Sequence, residues 1–404
     1  MKQEHTITNV SQYLELIREN NYYHFIFRGQ NEAYGGIQAS GFRPYKGGWY
    51  TDTFYDIEGM KKEFYNKVIR RLSPDEREHF LAFCQHHGLP TNIVDFTRSP
   101  LVALFFACNG KNQPTESGKP NNYAEIYLID KTRLIDITDL LVKSKNENFF
   151  EVLVENVDVQ KEILVKIEQL FLENTGEFIH WIKNLIECYE NNHLDIYGDR
   201  NIDINEDDEL DSEETSGQCY SLTDYKDKIK NDGVNSLKEL YIYVSSEIED
   251  ENITHSDNYY INDLEYGYYC NEAIGAKIYL ALLINLLQIF INIKERIDIR
   301  LDIYFTYQPP DLFDRITNQK GLFIYQPYLY GVESVYKYGV LNYQSIIPDI
   351  TVKVENYNNI LKELNYLGIN LESIYGDFDN IARSIKLNND LLFPEKVKAK
   401  FSTY

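Results

Sequence analysis

The stretch HFIFRGQ, residues 24–30, sets an arginine at the end of a short apolar run with a glycine directly after it. Strand alternation there puts His24, Ile26, Arg28 and Gln30 on one face and Phe25 and Phe27 on the other. A guanidinium that shares a face with Ile26 needs an anionic or carbonyl partner, because a buried, unpaired charge is strongly destabilising. Two partners fit. A phosphate or diphosphate matches the planar fork, with Gly29 letting a ligand approach the backbone and Gln30 alongside. An internal Asp or Glu would use the same fork and would then tie two segments together.

A second dense stretch is QHHGLPTNIVDFTRSPLVALFFACN, residues 85–109. Its punctuation predicts a helix that stops at Gly88, a turn at Leu89 and Pro90, a strand over 91–97 and a helix opened by Ser99 and Pro100. Asp95 and Thr97 share a strand face and emerge beside that helix N-terminus, whose N–H groups favour an anion. They line a ligand-binding corner or else only cap the helix. His86 and His87 are adjacent, so they cannot both face one ligand. One of them is a candidate general acid or base; the alternative is a satisfied structural histidine. Metal-assisted phosphodiester cleavage through a histidine and Asp95 lacks any supporting ligand spacing, and no metal is predicted.

These residues need a scaffold. The chain has 404 residues, 43% of them hydrophobic, enough for one large domain or two to three smaller ones. A formal charge of -23 argues against coating nucleic acid or anionic membrane through general electrostatics. The five cysteines, Cys84, Cys108, Cys188, Cys219 and Cys270, form no CxxC pair, which suits reduced thiols in a cytoplasmic protein. The apolar run 278–293 contains Asn and Gln and lies between Lys277 and Lys294, the pattern of a buried helix rather than a membrane span.

Patterning predicts a helix from Ser11, capped by that serine, to Glu19, then a strand over 22–27 and a Gly- and Tyr-rich loop up to Gly59. Helices are expected over 56–72 and 73–87, the second with Ser73 as cap and Pro74 in the first turn. A strand follows at 124–130. Residues 133–296 read as a mainly helical insertion, with an acidic stretch at 199–218 that has almost nothing to bury and is expected to be dispensable for folding. Strand patterning returns in 298–310 and 321–327, and the end reads as two short helices around a turn.

FRG near the start, QHHGLPTNIVDFTRSPLVALFFA after it, RITNQKGLFIYQP at 315–327 and the closing ILKELNYLGINLESIYGDFDNIARSIK together resemble the FRG domain family, named for its Phe-Arg-Gly motif. The resemblance implies an FRG domain split into an N-terminal part, 1–132, and a C-terminal part, 297–404, and a role among bacterial or phage defence genes. The order of parts is also similar to that of ADP-ribosyltransferases, which carry an Arg or His on a first core strand, a Ser or Thr on a second and a Glu late in the chain. That similarity implies an α+β fold with a central mixed or antiparallel sheet, and NAD or a related nucleotide as substrate. It makes Arg28, Thr97 and Gln319 the catalytic candidates, with Gly29, Gln30, His86, His87 and Asp95 as ligand contacts. Gln319 stands where a catalytic Glu would be wanted, and a neutral amide cannot supply that charge; Glu125 or Glu333 could do so only through a different geometry. Two expectations follow: an ADP-ribosyltransferase or NAD glycohydrolase, or a non-catalytic module that senses a nucleotide, a nucleic acid or a phage protein.

Overall fold

A computed structural model describes residues 3–32, 36–44, 54–110, 124–145, 147–178, 180–182, 184–185, 188, 272–291, 298–330 and 341–392. The acidic stretch 199–218 and Glu333 lie outside the described residues. The chain divides into two compact units. One comprises Met1–Asn146, Ile303–Gln326 and Ile346–Tyr404; the other comprises Glu147–Asp302 and Pro327–Ser345. Sequence patterning puts the corresponding boundaries at 132/133 and 296/297.

The first unit is built on one mixed sheet. Its strands are β1 (Gln3–Ile7), β2 (Phe25–Gln30), β3 (Ile93–Thr97), β4 (Ala124–Asp130), β5 (Leu134–Asp136), β7 (Tyr304–Tyr307), β8 (Gly321–Tyr325) and β11 (Ile350–Val354), in the order β1-β11-β4-β2-β3-β8-β7-β5. The end pairs, β1 with β11 and β5 with β7, are parallel and the inner pairs antiparallel. The three segments singled out from the sequence therefore occupy neighbouring strands, β2, β3 and β8.

Alternation in β2 holds. Phe25 and Phe27 pack into a core with Ile126 and Leu128 of β4 and with Val102, Ala103 and Leu104 of helix α5 (Pro100–Cys108). Gly29 points the same way. A Cβ built there would sit 1.9 Å from the Ala103 carbonyl oxygen and 2.6 Å from the Ala107 nitrogen. The missing side chain thus serves close packing of helix on strand, in place of the ligand approach expected from sequence. On the opposite face, register sets Arg28 across from Tyr127 and Gln30 across from Glu125.

The helices of this unit start and stop for local reasons. Helix α1 (Val10–Glu19) is capped by Asn9, whose Oδ1 accepts the Gln12 N–H at 2.8 Å, so Ser11 is already inside the helix. After α2 (Ile57–Val68), the expected single helix over 73–87 is two: α3 (Pro74–Glu78), closed by a Ser73–Glu76 capping box, and α4 (Phe80–His86). The break falls at His79, which is buried with its Nδ1 3.2 Å from the Tyr307 hydroxyl. Among the described residues the C-terminal region holds three helices rather than two, Tyr357–Tyr366, Leu371–Tyr375 and Phe378–Leu392, with Gly368 and Gly376 at positive φ between them.

The second unit contains α7 (Phe149–Glu155), α8 (Val157–Glu173), the apolar helix Glu272–Ile291 packed on α8, and a small sheet of β6 (Asp298–Ile299), β10 (Leu341–Gln344) and β9 (Tyr328–Tyr330). Among the described residues no helix is long and apolar enough to cross a membrane.

Candidate functional site

Helix α4 ends because Gly88 takes a left-handed φ of 77°, which lets the Leu89 N–H reach the Cys84 carbonyl at 3.0 Å. This stop holds Gln85 and His86 in the last turn. Gln85 donates its Nε2 to Asp95 Oδ2 at 2.8 Å and accepts from the Thr91 hydroxyl at 2.5 Å. A chain of donors therefore fixes the carboxylate of an exposed residue in mid-strand.

Across from α4 stands the short helix Asp314–Asn318. Its following turn places Lys320 at φ 46° and delivers the chain into β8. The cleft between these walls is lined by Gln85, His86, Asp95, Arg315 and Gln319 over a floor that includes Phe96, Ile316 and Phe323, and has a volume of about 70 Å³. The His86 ring stacks on Phe313 with centroids 3.9 Å apart and planes 3° from parallel. Burial, and then the neighbouring His87 and Arg315, lower the His86 pKa, so the ring is neutral at neutral pH. Arg315 lies with its guanidinium carbon 5.2 Å from the Tyr375 ring centre and forms no ion pair among the described residues. Gln319 turns its Nε2 towards the Ile374 carbonyl at 3.4 Å.

Of the residues expected from sequence, His86, Asp95 and Gln319 line this cleft; Arg28, Thr97 and His87 do not. Arg28 is half-buried and donates Nε to Gln30 Oε1 at 3.0 Å and NH1 to the Asp95 main-chain carbonyl at 2.6 Å. Its pKa is lowered by loss of solvent, against the pull of the Asp95 carboxylate, and it remains a cation. The partner is a carbonyl for a simple reason. Strands β2 and β3 share one register pair, Phe27 with Thr97, and the guanidinium supplies a donor to Asp95 beyond it. Gln30 is buried, and its Nε2 has no partner among the described residues.

Thr97 is buried as well. Its hydroxyl donates to the Gln319 carbonyl at 2.6 Å and accepts the Ser99 N–H at 2.9 Å, tying the start of α5 to the turn before β8. His87 caps α4 and packs against Phe83, with ring centroids 4.3 Å apart. Glu125 accepts a hydrogen bond from the Tyr127 hydroxyl on the polar face of β4. Among the described residues no group of three or more His, Cys, Asp or Glu is placed to hold a metal.

Sequence reasoning missed Gln85 and Arg315. Arg315 and Gln319 are four apart, which on a helix puts both on one side, and that spacing was the available signal.

Residues 23–116 match the family model of the FRG domain. They contribute the Gln85, His86 and Asp95 wall of the cleft; Arg315 and Gln319 come from beyond them. No curated protein and no solved structure matches the chain.

Proposed function

We propose that this FRG-domain protein binds the sugar-phosphate portion of a nucleotide in the cleft between α4, β3 and the helix Asp314–Asn318, as a sensing module without turnover. One observation carries the reading: the positions that the transferase resemblance makes catalytic are spent on internal bonds. Arg28 holds Gln30 and the Asp95 carbonyl, the Thr97 hydroxyl is used in both directions, and the Gln319 amide is turned to Ile374. The groups left to meet a ligand are Arg315, the second carboxylate oxygen of Asp95 and the edge of the neutral His86 ring. Arg315 suits a phosphate, Asp95 the hydroxyls of a ribose. The volume agrees, since about 70 Å³ is several times the roughly 10–15 Å³ needed to admit one water. That is room for a phosphate or a sugar, and the rest of a nucleotide would lie outside.

ADP-ribosyl transfer or NAD hydrolysis is the second reading. It is favoured by the adjacency of β2, β3 and β8 and by the Asp95 carboxylate, which shares the cleft with Gln319 and offers the negative charge that Gln319 lacks. Incubation with NAD labelled in the nicotinamide ring separates the two. Sensing predicts no nicotinamide release above the blank. Release that disappears in Asp95→Asn would establish transfer or hydrolysis instead. In either case the family resemblance supports a setting in bacterial or phage defence, with a protein or nucleic acid as downstream target.

A further inference from the structure

The first unit carries a second cavity, of about 500 Å³, whose charge is opposite to that of the chain. In a protein with 63 acidic and 40 basic residues, this cavity is lined by four cations, Lys61, Lys62, Arg77 and Lys145, against two carboxylates, Glu58 and Glu78. Glu58 is neutralised by Lys61, with Nζ 2.7 Å from Oε2. Tyr65 and Phe80 add aromatic wall, meeting edge to face with centroids 4.9 Å apart.

The arrangement follows from local structure. Glu58, Lys61, Lys62 and Tyr65 fall at positions i, i+3, i+4 and i+7 of α2 and so share one side of it. Arg77 comes from α3 and Phe80 from α4. Lys145 follows α6 (Thr138–Lys143) at φ 55°, with its N–H bonded to the Val142 carbonyl at 3.0 Å. A left-handed turn favours Gly or Asn, so a lysine there puts a charge at the cavity against local backbone preference.

We propose that this cavity binds a small nucleotide carrying two or more phosphates, its phosphates on Lys62, Arg77 and Lys145 and its base against the aromatic wall. The volume falls within the roughly 300–1,000 Å³ of ordinary ligand pockets. A small ligand is favoured over a long polyanion because the net charge of -23 repels a strand that runs past the cavity onto the surrounding surface. This site shares no lining residue with the cleft of the proposed function; α4 contributes Phe80 to one and Gln85 and His86 to the other.

Calorimetric titration of the full chain with ATP, with inorganic tripolyphosphate and with single-stranded oligothymidylate tests the proposal. ATP is expected to bind more tightly than tripolyphosphate. Arg77→Ala combined with Lys145→Asn, which keeps a residue tolerant of the left-handed turn, should weaken ATP by about tenfold or more with an unchanged melting temperature. All three titrations are made in an Arg315→Ala background, because ATP also carries the sugar-phosphate group that the cleft is proposed to take, which keeps failure here separate from failure at the cleft. Absence of ATP binding, ATP affinity that ignores the Arg77 and Lys145 changes, or oligothymidylate binding more tightly than ATP would each overturn it.

Discussion

Arg28 and Gly29 are adjacent residues with opposite tasks. The arginine turns to the polar face of the sheet and joins Gln30 to the Asp95 carbonyl, while the glycine turns to α5 and makes room for its backbone. Replacing Arg28 by Lys keeps the charge but offers no fork, so it cannot hold both partners in this geometry. We expect a loss of about 1–3 kcal/mol in urea unfolding; unchanged stability would show that neither bond matters. Gly29→Ala puts a methyl into the Ala103 carbonyl and should cost at least about 2 kcal/mol, or prevent soluble expression. An inward arginine in need of a carbonyl or anionic partner was legible from the alternation of HFIFRGQ. The identity of that partner was not, because it depends on where β2 and β3 part. Titration adds a third expectation. His79 is held below its usual pKa by burial, as is His86, so the unfolded chain binds more protons than the folded one just below about pH 6.5, and stability is lost there as the pH falls. The melting temperature should drop from about pH 7 to about pH 5, and His79→Gln should flatten that slope; an unaltered slope would remove His79 from the account.

At the scale of elements, the cleft depends on two short helices and the turns that end them. Ser73 and Glu76 announce α3 by spacing alone, and both reciprocal bonds form. Ser73→Ala should therefore cost about 1 kcal/mol. Lys320 offers the reverse test: glycine accepts its φ of 46° without strain, so Lys320→Gly should be neutral or stabilising by up to about 1 kcal/mol. A clear loss there would mean that the lysine side chain holds the turn. Strands β2, β3, β4 and β8 were readable because each is a compact apolar run bounded by turn residues. The split between α3 and α4 was not readable, since His79 answers to Tyr307, which is remote in sequence. Strands β1 and β11 escaped for a similar reason: each is completed by the other, a parallel pairing between the two ends of the described chain.

At the scale of the molecule, the chain is strongly acidic, yet its described surface places cations at both proposed phosphate sites: Arg315 in the cleft and the lysine-rich cavity beside α2. Composition excluded broad electrostatic binding but could not reveal local reversals, which arise only when separate helices are brought together. We propose that the α4–β3 cleft takes the sugar-phosphate part of a nucleotide through Arg315. Calorimetric titration of ribose 5-phosphate, whose single phosphate falls short of the two that the lysine-rich cavity is proposed to need, into the wild-type chain and into Arg315→Ala tests this. We expect binding to the wild type and about tenfold weaker binding to the variant, with the melting temperature unchanged. Equal affinity in the two proteins, or no binding to either at millimolar ligand, would contradict it.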